Sequence, residues 1–138
     1  EPHSHELVAD AIIAAKRDVE TLFQVTGERD HILRQLHQRW NGADIVLTQG
    51  ADGTSAYDGE NRYHAAAFEV PNPIRIGAGD AFDAGLLYAL FEGKTLAQAL
   101  VYGNAIAALK LTMPGDIALI TRQEVETFLL NQSSSLVR

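Results

Sequence analysis

The sequence predicts an α/β fold with helices packed on a largely parallel sheet. Three observations carry this: apolar residues at helical spacing in several segments, one short β-branched run of the kind that parallel sheets bury on both faces, and a hairpin signal just after it. At 138 residues the chain fits one domain and can bury roughly two-thirds of the surface its unfolded form exposes.

Residues 6–17 and 29–40 read as helices separated by Gly27. In the second, Ile32, Leu33, Leu36 and Trp40 recur at the three-to-four spacing of one buried face. Residues 44–48, DIVLT, form the β-branched run ended by Gly50, a strand buried on both faces. The segment 54–70 reads as two strands around Asp58-Gly59, closed by Pro71 and Pro73. A helix follows from Gly79 to Glu92 and stops at Gly93. Thr95 and Gln98 open the next as a capping box; it runs to about Leu111 before Pro114 and Gly115. Thr121 and Glu124 open a last helix in the same way, and the polar tail NQSSSLVR is expected to fray.

Composition narrows the function. Without cysteine there are no disulfides and no thiolate metal sites, and the cytoplasm is the expected location. A net charge of -7 with no basic cluster argues against nucleic acid or an anionic membrane as partner. The apolar run LVADAIIAA breaks at Lys16 and Arg17, too early for a membrane span. The opening EPHSHE lacks the basic region and apolar segment of a signal peptide and reads as an internal start, a tag remnant or a fragment end. The helices at 79–92 and 95–111 are apolar nearly all round, the second offering little polar surface beyond Gln98, Tyr102, Asn104 and Lys110. Such helices are covered on two sides. The visible strands are too few for that, so the chain is expected to be part of a larger protein, to pair with a partner chain, or to form a homo-oligomer.

The chemistry concentrates in IRIGAGDAF, residues 74–82. A small-residue turn at a helix N-terminus lets a phosphate approach unpaired backbone N–H groups, and Gly77, Ala78 and Gly79 supply that access. Asp80 then stands beside the phosphate, where a carboxylate can accept the proton of an attacking hydroxyl. The bland alternative is that Asp80 is an N-cap and the glycines make a tight strand-to-helix turn. Upstream, the strand runs into TQGADG, residues 48–53. There Thr48 offers a hydroxyl and Gly50 and Gly53 offer close backbone approach; a plain turn explains the same residues. The dinucleotide fingerprint fails because Phe82 stands at its third glycine, and no glycine-rich loop here ends in Lys followed by Ser or Thr. His3, His5 and Glu6 lie at a terminus without supporting groups, His31 and His37 are six apart, and Ser133–Ser135 have no activating His or acid, so no metal set or nucleophile is assigned.

At this spacing the two motifs together resemble the C-terminal half of the ribokinase-like, or PfkB, sugar kinases, over residues 44–130. Leu109–Asp116 and Arg75 look most like the 2-keto-3-deoxygluconate kinase branch. The resemblance implies an ATP- and Mg2+-dependent kinase acting on a sugar or sugar acid. It implies Asp80 as catalytic base, Gly77, Ala78 and Gly79 as the anion hole, Thr48, Gly50 and Gly53 as the ATP loop, and Asn104 bordering the adenine pocket. Without the resemblance, the favoured reading of Asn104 is a partly buried amide satisfied by backbone. A truncated, non-catalytic module that holds nucleotide or a partner is the alternative function. Two positions depart from the family pattern. Ile74 stands where many members carry an acid that helps bind a monovalent cation. RDVETLFQVTG resembles the region of the family's magnesium-linked glutamate, with Glu20 in that place but Arg17 at its asparagine. Family members are about twice this length, near the upper end of the single-domain range. Residues 1–138 are thus expected to be the nucleotide-binding and catalytic half, without the half that binds sugar.

Overall fold

The computed structural model describes residues 10–74, 77–113 and 120–135. Expectations that fall on the remainder, such as the helix start at residue 6, Arg75 and the Pro114-Gly115 stop, lie outside the described residues. The chain divides into two compact units, Glu1–Gln49 with Thr54–His64, and Gly50–Gly53 with Ala65–Arg138.

The first unit holds a four-stranded sheet in the order β1-β2-β3-β4 and two helices. Its elements are β1 (Ala11–Ala15), α1 (Lys16–Phe23), α2 (Arg29–Arg39), β2 (Asp44–Thr48), β3 (Thr54–Tyr57) and β4 (Arg62–Ala65), whose last residue, Ala65, is counted with the second unit. β1 runs parallel to β2, Ile13 opposite Val46, and β2 runs antiparallel to β3, Val46 opposite Ala56. The sheet is therefore mixed, with its parallel pair at one side.

The helix expected over 6–17 is overturned at residues 11–15, which form β1. A short apolar run has no periodicity to separate strand from helix, and here pairing with β2 outweighs the helical preference of the alanines. The helix starts only at Lys16 and closes at Gln24, whose φ of 55° is left-handed.

β2 behaves as read: Ile45, Val46 and Leu47 are all buried. Ile45 and Leu47 face a core shared with Val19, Ile32, Leu33 and Leu36, so the α2 stripe packs on the sheet as its spacing demands. Each fully buried side chain of this kind is worth about 1.5–3 kcal/mol. The hairpin forms at Asp58, whose carboxylate accepts the N–H groups of Glu60 at 2.9 Å and Asn61 at 2.7 Å and the Tyr63 hydroxyl at 3.0 Å. Those backbone donors hold the Asp58 carboxyl below the usual carboxylate range.

The second unit is helical: α3 (Ala78–Phe91), α4 (Leu96–Leu111) and α5 (Arg122–Ser135). The capping box that opens α4 is complete, with the Gln98 N–H on the Thr95 hydroxyl at 3.2 Å and the Thr95 N–H on the Gln98 side chain at 3.0 Å. Thr121 caps α5 by accepting the Glu124 N–H at 3.2 Å. Residues 131–135, expected to fray, continue α5. Once a helix is nucleated, each added residue costs little, so polar character alone does not end it.

α3 and α4 lie close because two glycines face their seam. A Cβ at Gly85 would stand 2.7 Å from the Ile106 side chain, and one at Gly103 would stand 2.8 Å from the Phe82 ring. As the apolar composition anticipated, Leu87, Tyr88 and Phe91 of α3 and Val101 of α4 stay exposed, Phe91 by 89%. No helix among the described residues is long and apolar enough to cross a membrane.

Candidate functional site

The turn at 77–80 tests the reading of Asp80 as a helix cap. The N-cap of α3 is Gly77, with φ 77° and ψ 6°, a left-handed conformation that glycine adopts without steric cost. Asp80 is therefore the third residue of the helix, exposed, and makes no side-chain cap hydrogen bond. The cap reading is overturned. The first intrahelical bond is Ala81 N–H to Gly77 O at 3.0 Å, so the N–H groups before it have no carbonyl of their own helix to bond. Their partial positive charge, with that of the helix dipole, faces outward beside the Asp80 carboxylate.

Gly79 is informative in a different way. It is the second residue of α3, in the first turn. A Cβ built on it meets no atom within 4 Å. Packing within the protein does not require this glycine, and the space above its backbone is open to an approaching anion.

One turn further on, Asp83 shares the face of Asp80 at i, i+3. Burial, and secondly the negative charge of Asp80, hold the Asp83 carboxyl above the usual carboxylate range. The sequence reading passed over Asp83, although its spacing from Asp80 was there to be seen.

The other predicted residues divide between the two units. Thr48, half-buried, ends β2 in the first. Gly50 and Gly53 belong to the second, where Gly50–Asp52 form a single 3-10 turn closed by Gly53 N–H to Gly50 O at 3.1 Å. Gly53 has φ +86°, and a Cβ there would fall 2.3 Å from the Ala65 carbonyl oxygen and 3.0 Å from the Ala66 Cα. Asn104, 6% exposed on α4, donates its side-chain amide to the carbonyls of Ala65 and Ala66, each at 3.1 Å. Gly53 and Asn104 thus meet on one strip of backbone, Ala65–Ala67. The Asn104 side-chain nitrogen thus serves both carbonyls of that strip. Phe82, two residues past Asp80, packs against Gly103, the neighbour of Asn104, which places the first turns of α3 alongside the middle of α4.

Glu20 lies on α1 in an i, i+4 ion pair with Lys16 at 3.8 Å, both half-exposed. Among the described residues no group of three or more His, Asp or Glu side chains is placed to hold a metal.

The comparison with known families decides what this arrangement belongs to. The model of the pfkB family of carbohydrate kinases matches residues 3–122. The chain belongs to that family. Among relatives of known name, a 2-dehydro-3-deoxygalactonokinase of Haloferax volcanii is 35% identical over 129 residues, a match covering 94% of this chain and 41% of that protein. Among solved structures, an Escherichia coli protein described as a ribokinase II and crystallised with ATP and Mg2+ superposes with a TM-score of 0.80 at 24% identity, over 91% of this chain and 40% of that one. The 2-dehydro-3-deoxygluconokinase of Thermotoga maritima superposes with a TM-score of 0.75 at 22% identity, over 86% of this chain and 40% of that one. The fold is that of the ribokinase-like pfkB kinases, and the chain spans about two-fifths of the length of these pfkB proteins.

Proposed function

We propose that this chain is the nucleotide-binding and catalytic part of an ATP-dependent kinase acting on a hydroxyl of a sugar acid of the 2-keto-3-deoxy class. The observation that carries the proposal is the head of α3, where outward backbone N–H groups, an open Gly79 and an exposed Asp80 that caps nothing stand together. The pfkB membership supports phosphoryl transfer, and the Haloferax relative supports the sugar-acid class.

Asp80 accepts the proton of the substrate hydroxyl as its oxygen bonds to the γ-phosphorus and the bond from phosphorus to the departing ADP oxygen breaks. The N–H groups of residues 77–79 take up the charge on the transferred phosphoryl oxygens, the service that preorganised donors render best. Thr48, Gly50 and Gly53 hold the nucleotide, and Asn104 holds the backbone strip on which Gly53 rests. Asp83, the other carboxylate on that face of α3, would offer Mg2+ the hard oxygen it prefers. When bound, Mg2+ neutralises phosphate charge. The sugar-contacting residues, and the cover for Leu87, Phe91 and Val101, come in this reading from chain outside these residues or from a partner, and the protein works in the cytoplasm.

The test is Asp80→Asn in the intact protein, assayed with ATP and 2-keto-3-deoxy sugar acids. Turnover should fall roughly a hundredfold or more while ATP affinity and melting temperature hold, because general-base catalysis alone is lost. Near-normal turnover would remove Asp80 as the base. A wild-type protein that binds ATP but never turns over would mark a nucleotide- or partner-binding module instead.

A further inference from the structure

Among the described residues Lys110 is the largest side chain with no exposed surface. Lysine is rarely buried so completely unless its ammonium is paired. It stands in the last turn of α4, where carbonyl groups left over at the helix end carry the negative pole of the helix dipole. Its Nζ donates to the Met113 carbonyl at 3.4 Å. Met113 N–H in turn bonds the Lys110 carbonyl at 3.0 Å, and Thr112 bonds Leu109 O through both its N–H, at 3.1 Å, and its hydroxyl, at 2.6 Å. The turn that leaves α4 therefore sets the Met113 carbonyl against the ammonium.

The same helix end receives a second segment. Ile74 N–H donates to the Leu111 carbonyl at 2.7 Å, the shortest of the backbone bonds that tie loops among the described residues. Ile74 precedes Gly77 by three residues, which span at most about 10 Å. Where the end of α4 sits thus sets where the 77–80 turn begins.

We propose that Lys110 is a positioning residue for that turn, a tethered cation that holds the carbonyl-rich end of α4 in the shape that docks Ile74. The role it serves rests on the reading of 77–80 as the phosphoryl site. A neutral side chain of equal volume would fill the space and leave the carbonyls without their cation, freeing the 111–113 turn and, through Leu111 O, the chain entering α3.

The test is residue-resolved amide exchange on the intact protein carrying Lys110→Met. Exchange at Ile74 should accelerate at least tenfold, about the effect of losing one such hydrogen bond, while the seam amides of Leu86, Ala89 and Ala105 stay within about twofold. Wild-type exchange at Ile74 would overturn the proposal. Should Lys110→Met unfold, Lys110→Ala with n-propylammonium, the missing part of the side chain, takes its place. Recovery of Ile74 protection with the amine but not with n-propanol is the expected result; equal recovery with both, or recovery with neither, would overturn the role of charge. The exchange readout needs no nucleotide. Its failure removes the lysine's role whatever the turnover, whereas normal turnover of Asp80→Asn removes the catalytic reading and leaves the exchange result standing.

Discussion

Replacing Gly53 by alanine tests the nucleotide loop through its packing. At φ +86° a side chain enters the left-handed region, which costs about 1–2 kcal/mol. The new Cβ would also lie 2.3 Å from Ala65 O, 3.0 Å from the Ala66 Cα and 3.1 Å from the Ala67 N, all backbone atoms that no rotamer change can move away. That strip is also held by Asn104, at 3.1 Å to the carbonyls of Ala65 and Ala66, so relief of the clash strains those bonds. Overpacking of this kind costs about 1–3 kcal/mol, and the two effects together come to about 2–5 kcal/mol. Gly50 supplies the control, since its φ of +57° is equally left-handed but a Cβ there meets nothing within 4 Å. Gly50→Ala should therefore lose only about 1–2 kcal/mol, the backbone cost. Equilibrium urea denaturation of both variants at constant m gives the difference directly. We expect Gly53→Ala to be the less stable by about 1–3 kcal/mol, and to weaken ATP binding more. Equal losses in the two variants would refute the argument that Gly53 is glycine because of the Ala65–Ala67 backbone.

Two further outcomes follow from the same geometry. Asn104→Ala leaves the Ala65 and Ala66 carbonyls without their donor and should destabilise the protein by about 1–3 kcal/mol; Asn104→Asp, which cannot donate, should do no better, and thermal unfolding of the pair checks this. Asp83 has a folded-state carboxyl raised by burial and by Asp80, so the folded state holds its proton more tightly than the unfolded chain and stability falls as pH rises through that window. Asp83→Asn should therefore stabilise the protein at neutral pH, with a gain that fades as pH drops through the ordinary carboxylate range, and parallel stability curves for the two proteins would contradict it.

The candidate site was legible in the sequence to an uneven degree. Glycine and acid in GAGD were visible as types, and backbone chemistry was enough to single them out. Whether Asp80 caps α3 was not, because Asp is at home at the N-cap and in the first turn alike; only the φ and ψ of Gly77 move the cap three residues upstream. For Asn104 the reverse holds. The residue type admits both a ligand contact and a backbone clasp, and the acceptors it finds, the carbonyls of Ala65 and Ala66, come from a segment 39 and 38 positions away that no local pattern could supply.

By itself the sequence determined what depends on neighbours within a few positions: the α2 stripe, the β2 run, the Asp58 turn, and the capping box of α4, whose bonds close over three residues. Tertiary structure alone decided whatever depends on a partner far along the chain. Residues 11–15 became a strand because β2 lay beside them to pair with, an interaction absent from any local window. Gly85, Gly103 and Gly53 look alike in sequence to any turn or helix glycine, yet each is required by an atom from a distant segment. Lys110 reads as the polar face of a helix and is instead fully buried, because the turn that leaves α4 offers its ammonium the Met113 carbonyl. Local hydrogen bonding and periodicity are written residue by residue, whereas close approach and burial are properties of pairs that only the folded chain brings together.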